Sequence, residues 1–166
     1  SVIGLAASIG KTALLVKKLP RVAVISTGDE LVAVDQLPSP YQLRRSNDVV
    51  MKAALDKYGV PVDLYHLNDH PDEISRALQD YLKTYDVLIM TGGVSMGKFD
   101  YVPQILEQLG VVKQLHKVRQ RPGKPFWFGK NEAQTLVFAF PGNPVSAFMC
   151  LNRYFLPWLR GTLGLN

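Results

Sequence analysis

The residues best suited to chemistry sit in a few glycine-bearing turns. Residues 86–100, DVLIMTGGVSMGKFD, set Thr91-Gly92-Gly93, then Ser95, Gly97 and Asp100, directly after the apolar run Val87-Leu88-Ile89-Met90. Glycines let a backbone approach a ligand closely, and the N–H groups of such a loop favour an anion. Asp100 can carry a proton, hold a hydrated cation or cap the following helix. The pattern predicts a phosphorylated ligand here. A second turn, Thr27-Gly28-Asp29-Glu30, follows the run RVAVIS at 21–26. Its two acids suit a metal or a ligand hydroxyl, and equally a solvated turn. Asp69 lies in Asn68-Asp69-His70-Pro71, where a turn or cap role explains it as well as chemistry does. In Arg121-Pro122-Gly123-Lys124-Pro125 two cations sit three apart across a Pro-Gly turn, which suits an oxyanion or an exposed hairpin tip. Pro141-Gly142-Asn143-Pro144 opens a helix with Asn143 as its cap, Pro144 at its first position and Ser146 in its first turn, facing the same rim.

Elements that position these turns follow from periodicity. The runs at 21–26 and 87–90 read as strands buried on both faces, and 60–67 as a third strand. A helix is predicted from Ser46, with Ser46 or Asn47 as cap, Val50, Ala54 and Tyr58 along one side and Gly59 as its stop. Asn47 at that helix start is a cap or a ligand contact. Pro71 opens another helix, with Asp72 and Glu73 near its positive end and Ile74, Leu78 and Leu82 as its buried stripe. Val102, Ile105, Leu106 and Leu109 form the apolar face of a third helix, ended by Gly110. Strands are expected over 112–120, 126–129 and 135–140. The final helix is expected to bury Val145, Phe148, Met149, Phe155, Leu156 and Leu159, with Pro157 kinking or ending it. Strands alternating with helices predict a three-layer α/β domain with a mainly parallel central sheet. Its bounds are 21–164, preceded by a connecting segment over 1–20 that includes a short edge strand at 14–19.

Composition narrows the partners. A chain of 166 residues, 47% hydrophobic, supports one well-buried domain. The net charge of +5 is concentrated between Lys113 and Lys130, which hold six basic residues and no acid. That patch wants an anion, but no nucleic-acid-binding motif accompanies it, and nucleic acid is not the expected partner. Cys150 is alone in an apolar run, so no disulfide framework exists, and a reducing, cytoplasmic setting fits. The three histidines show no metal-ligand spacing. Residues 1–16 lack a basic leading region, and Lys11 interrupts their apolar run, so neither a signal peptide nor a membrane span is read there. The chain begins at Ser1 without methionine, as an excised or processed piece would. Gly10-Lys11-Thr12 resembles the end of a phosphate-binding loop, but five residues separate Gly4 from Gly10 where that motif needs four.

The turns together resemble a known family. Ser26-Thr27-Gly28-Asp29-Glu30-Leu31, Gly92-Gly93-Val94-Ser95-Met96-Gly97 with Asp100, Pro122-Gly123-Lys124-Pro125 and Pro141-Gly142-Asn143-Pro144-Val145-Ser146 come in the order and approximate spacing of the MoeA/gephyrin E-domain family. The resemblance spans 21–164 and is to the central, molybdopterin-binding domain, whose fold is shared with the MoaB/MogA adenylyltransferases. It implies an enzyme of molybdenum cofactor biosynthesis, a molybdopterin molybdenumtransferase. That reaction takes adenylylated molybdopterin and molybdate, uses Mg2+ and releases AMP. The resemblance makes Asp100, Asp69, Glu30 and Lys124 catalytic, with Asp100 and Glu30 as metal ligands. It assigns ligand binding to Thr27, Gly28, Asp29, Asn47, Gly92, Gly93, Ser95, Gly97, Arg121, Pro122, Gly123, Pro125, Gly142, Asn143 and Ser146. Arg121 stands where the family has a second lysine. Family members carry further domains and complete their sites across a homo-oligomer, and a molybdopterin adenylyltransferase acts upstream of them. Two alternatives remain: an adenylyltransferase that forms the anhydride from ATP, and a non-catalytic pterin-binding or scaffold module.

Overall fold

The computed structural model describes residues 2–93 and 101–165. A six-stranded sheet forms the middle layer, in the order β4-β1-β5-β8-β7-β6. Its strands are β1 (Val22–Thr27), β4 (Val62–Leu67), β5 (Val87–Thr91), β6 (Val112–His116), β7 (Trp127–Lys130) and β8 (Leu136–Phe140). Strands β4, β1, β5 and β8 are parallel, while β7 runs antiparallel to β8, and β6 to β7. Every residue of β1 and of β5 is buried, as strands covered by helices on both faces must be. A separate two-stranded ladder joins β2 (Leu31–Val32) to β3 (Leu43–Arg44).

Strand alternation sends side chains to two cores. Ala23, Ile25, Leu88, Met90, Val137 and Ala139 pack with helices α3 (Pro71–Thr84) and α4 (Val102–Gln108). Val22, Val24, Val87, Ile89, Phe138 and Phe140 pack against α2 (Asn47–Asp56) and the carboxyl-terminal helices. Helix α3 forms as its pattern predicts: Pro71 sits in its first turn beside Asp72 and Glu73, and Ile74, Leu78 and Leu82 are buried at four-residue intervals. Each such side chain contributes about 1.5–3 kcal/mol by leaving water. Strand β1 thus lies between two hydrophobic layers, which holds its carboxyl end, and the turn beyond it, in one place.

Several expectations are corrected. No strand forms over 14–19; residues 2–8 are instead helical (α1, Val2–Ser8), and Leu15 and Val16 lie exposed. The segment pairs with no sheet edge, and without a ladder an apolar run gains nothing from being extended. The strand expected over 112–120 stops at His116, where Lys117 takes a φ of 65° and turns the chain. Pro157 does not end the last helix. Helix α5 (Pro144–Cys150) passes through a wide turn at Leu151–Phe155 into α6 (Leu156–Leu163), and the Leu156 N–H donates to the Leu151 carbonyl, five residues back. The wider turn makes room for the proline ring. In that helical stretch Phe155, Leu156 and Leu159 are buried, but Val145, Phe148 and Met149 are exposed, because α5 turns Ser146, Ala147 and Cys150 inward instead.

Candidate functional site

Because β4, β1, β5 and β8 are parallel, their carboxyl ends share one edge, where open α/β sheets bind ligands. Trp127, the first residue of β7, pairs with Ala139 near the end of β8, so the basic turn before β7 reaches the same edge. A cavity of about 280 Å3 opens there. Thr27 and Glu30 line it from the β1 side, Thr91 and Gly92 from β5, Gly142, Asn143 and Pro144 from β8, Arg44 from β3, and Ser46 and Asn47 from the start of α2. A depression of about 550 Å3 at the opposite edge, which includes Arg21, Lys83 and Asp86, holds none of the expected site residues.

The floor is built by close backbone approach. Gly92 has a φ of 92°, and a Cβ there would stand 2.6 Å from the Thr27 carbonyl oxygen. Its N–H donates to the Phe140 carbonyl, which fastens the β5 turn to β8. The Thr27 hydroxyl rests against Gly92 and Gly93; it is buried and has no hydrogen-bond partner among the described residues. A buried hydroxyl without a partner costs free energy unless a ligand or water supplies one. Glu30 folds back over Gly28, where a side chain would meet its carboxylate at 2.5 Å. Among the described residues Glu30 forms no ion pair.

Other expected residues have structural duties. Asp29 Oδ1 accepts the Asp69 backbone N–H at 2.9 Å, tying the turn after β1 to the turn after β4. Neither acid lines the cavity. Asn47 does not cap α2 but lies in its first turn, and its Nδ2 donates to the Gly142 carbonyl at 2.9 Å, so it braces one wall against another. Asn143 caps α5 as expected, its Oδ1 accepting the Ser146 N–H at 3.1 Å. Ser146 is buried, with its hydroxyl 3.4 Å from the same oxygen rather than turned to the rim. Arg121 and Lys124 are exposed, outside the cavity lining. Their turn is held from beneath: Gln120 donates to the Pro122 carbonyl at 2.7 Å and accepts from the Tyr154 hydroxyl at 2.7 Å. Gly123 is buried against Cys150, between Pro122 and Pro125, and burial raises the Cys150 thiol to about 11. The expected site residues Ser95, Gly97 and Asp100 lie outside the described residues.

For a metal, the described residues supply one suitable cavity carboxylate, Glu30, and no cluster of three His, Cys, Asp or Glu among them converges on one point. That fits Mg2+ held by one or two carboxylates with ligand phosphates completing its shell. Arg44 is a cavity residue that sequence reading missed, while Thr91, read as part of the glycine turn, lines the cavity with it. The dibasic pair Arg44-Arg45 just before a helix start was the available signal.

With this geometry, comparison with known proteins is informative. The family described as "Probable molybdopterin binding domain" matches residues 23–161. The molybdopterin molybdenumtransferase of Synechocystis is 48% identical over 151 residues, covering 90% of this chain and 39% of that protein. Among solved structures, the molybdopterin biosynthesis MoeA protein of Pyrococcus horikoshii superposes with a TM-score of 0.81 at 26% identity, covering 98% of this chain and 40% of that one. The MoaB protein of Thermus thermophilus, at 17% identity and a TM-score of 0.63, shares the fold and is covered over 98% of its length. A three-layer domain with glycine turns at the carboxyl edge of a parallel sheet is thus the class that fold and site define. The chain belongs to the molybdopterin-binding domain family of molybdenum cofactor biosynthesis, and it spans about two fifths of the length of its MoeA-type relatives. No helix among the described residues is long and apolar enough to cross a membrane.

Proposed function

We propose that this chain is the molybdopterin-binding domain of a molybdenum insertase, which takes adenylylated molybdopterin and molybdate and releases AMP in a Mg2+-dependent step. The observation that carries this reading is the cavity in which Thr27, Glu30, Gly92, Gly142 and Asn143, from three separate family motifs, meet at one sheet edge. A ligand seated there with its phosphates toward β7 reaches Lys124 and Arg121, whose charges offset the negative charge that builds as the anhydride breaks. Glu30, with Asp100, would hold Mg2+, which when bound polarises the phosphoryl oxygens. Asp69, outside the cavity lining, would act by holding the turn after β1 in place through its N–H bond to Asp29. Thr27, Asn47 and the glycine turns fix the ligand's position, which is the larger part of phosphoryl-transfer catalysis. The substrate comes from an upstream adenylyl transfer, and the intact protein works as a cytoplasmic homo-oligomer.

The test is AMP release by the intact protein supplied with adenylylated molybdopterin, molybdate and Mg2+. Lys124→Ala and Asp100→Ala are expected to lower the rate about 100-fold or more, the scale of losing one charge-stabilising group. ATP consumption without added adenylylated substrate would identify an adenylyltransferase instead. No AMP release by the intact protein, despite binding of the pterin, would point to a non-catalytic module, and unchanged rates in both variants would refute the roles given to Lys124 and Asp100.

A further inference from the structure

Among the described residues, two charged groups line the cavity, Glu30 and Arg44, and no ion pair joins them. Both are anchored by the small β2–β3 ladder: Leu43 N–H donates to the Glu30 carbonyl at 2.8 Å, and Arg45 N–H to the Val32 carbonyl at 2.9 Å. The Arg44 Nε donates to the carbonyls of Val34 and Gln36, each at 3.1 Å. A guanidinium has five N–H donors, and those on the Nη atoms find no protein partner among the described residues.

The loop that carries these carbonyls is braced by its own hydrogen bonds. Gln36 N–H donates to the Ala33 carbonyl while its Oε1 accepts the Ala33 N–H, at 3.1 and 3.2 Å. Gln42 repeats the arrangement with Ser39, at 3.0 and 3.1 Å. The loop between β2 and β3 is therefore shaped by its own side chains, and it holds the Arg44 fork oriented before any ligand arrives. An oriented guanidinium loses little freedom on binding, and its planar fork matches a tetrahedral oxyanion. The Thr27 hydroxyl, 3% exposed and without a partner among the described residues, lines the same cavity and can donate to the same group.

We propose that Arg44 is a binding residue of this site, recognising a tetrahedral oxyanion inside the cavity, either a phosphoryl group of the pterin ligand or molybdate. The proposal rests on the pterin reading above for the ligand's identity but not for its charge. It adds a second anion point to the one at Lys124, as an elongated ligand carrying two phosphoryl groups, or a pterin phosphate beside molybdate, requires.

The experiment is calorimetric titration of this chain with molybdopterin, its dephosphorylated form, molybdate and inorganic phosphate, repeated on Arg44→Gln, Arg44→Lys and Gln36→Ala. Arg44→Gln is expected to weaken the phosphorylated pterin about 10- to 100-fold, the worth of a charge-assisted hydrogen bond, and to leave the dephosphorylated form unchanged. Arg44→Lys should recover part of the loss, since it keeps the charge without the fork. A loss confined to molybdate upholds the proposal and identifies molybdate as the oxyanion. Gln36→Ala, which loosens the loop that orients Arg44, should give a smaller loss of the same kind; equal weakening of both pterins, or no weakening of any probe, in Arg44→Gln would overturn the proposal. If neither pterin binds but phosphate or molybdate binds in an Arg44-dependent way, the proposal stands and the pterin reading fails. Binding of none of the four probes by the wild-type chain overturns both.

Discussion

Replacing Gly92 with alanine tests whether the cavity floor is set by backbone contact. Two costs add at this position. The φ of 92° lies where side chains are strained, which costs about 1–2 kcal/mol. The new Cβ would also stand 2.6 Å from the Thr27 carbonyl oxygen, and that atom belongs to a buried central strand that cannot yield cheaply. Forced overpacking of this kind costs about 1–3 kcal/mol more. The expected loss is therefore about 2–5 kcal/mol, a large part of the 5–15 kcal/mol typical of a domain. Gly59 provides the control, with a φ of 66° and nothing within 4 Å of a Cβ, so Gly59→Ala should show only the backbone share. Gly142→Ala is a second control: its Cβ would meet Gly92 Cα at 3.6 Å, an ordinary contact, and it should change stability by less than about 0.5 kcal/mol. Urea unfolding with an unchanged slope measures all three. Equal midpoints for Gly92→Ala and Gly59→Ala would refute the close-contact account, because the contact is all that separates their predicted costs.

Leu78→Ala, at a side chain with no exposure on α3, should cost about 2–5 kcal/mol in the same unfolding assay, and a loss under about 1 kcal/mol would mean that the helix repacks. Asn47→Ala should lower the stability of the ligand-free chain by about 0.5–1.5 kcal/mol through the lost bond to the Gly142 carbonyl. Asn47→Asp should cost more, since it turns a carboxylate toward that carbonyl; no change in either variant would leave ligand contact as Asn47's only role. The Cys150 thiol, raised by burial from 9.0 to about 11, favours the folded state fully below about pH 9 and loses that contribution as pH climbs toward 11. Unfolding free energies from urea titrations at about pH 8 and about pH 10 should fall further apart in the wild type than in Cys150→Ala, by an amount on the order of 1–2 kcal/mol; parallel declines would exclude the thiol.

What was legible in the sequence is what periodicity and turn chemistry encode. The runs that became β1 and β5, the stripe Ile74, Leu78 and Leu82, and the cap at Asn143 were each specified by neighbours within a few residues, and each is found as read. The elements that were missed have no such local signature. Strands β2 and β3 are two residues long, too short to show alternation, yet they place Glu30 and Arg44 at the cavity. The segment at 14–19 had the composition of a strand but no neighbour to pair with, a fact about the sheet and not about the segment. Asn47 shows the limit most directly. An asparagine at a helix start satisfies the requirements of a cap, so local reading offers that role first. Its partner, the Gly142 carbonyl, is 95 residues away and becomes available only because β8 lies beside β5, and β5 beside β1. The same holds for Asp29, whose carboxylate accepts the Asp69 N–H because β4 flanks β1. Turn residues look alike whether they brace a loop or meet a ligand, and only the parallel order of the strands decides which polar groups are consumed by the protein and which, as with the Thr27 hydroxyl, are left for something else to bind.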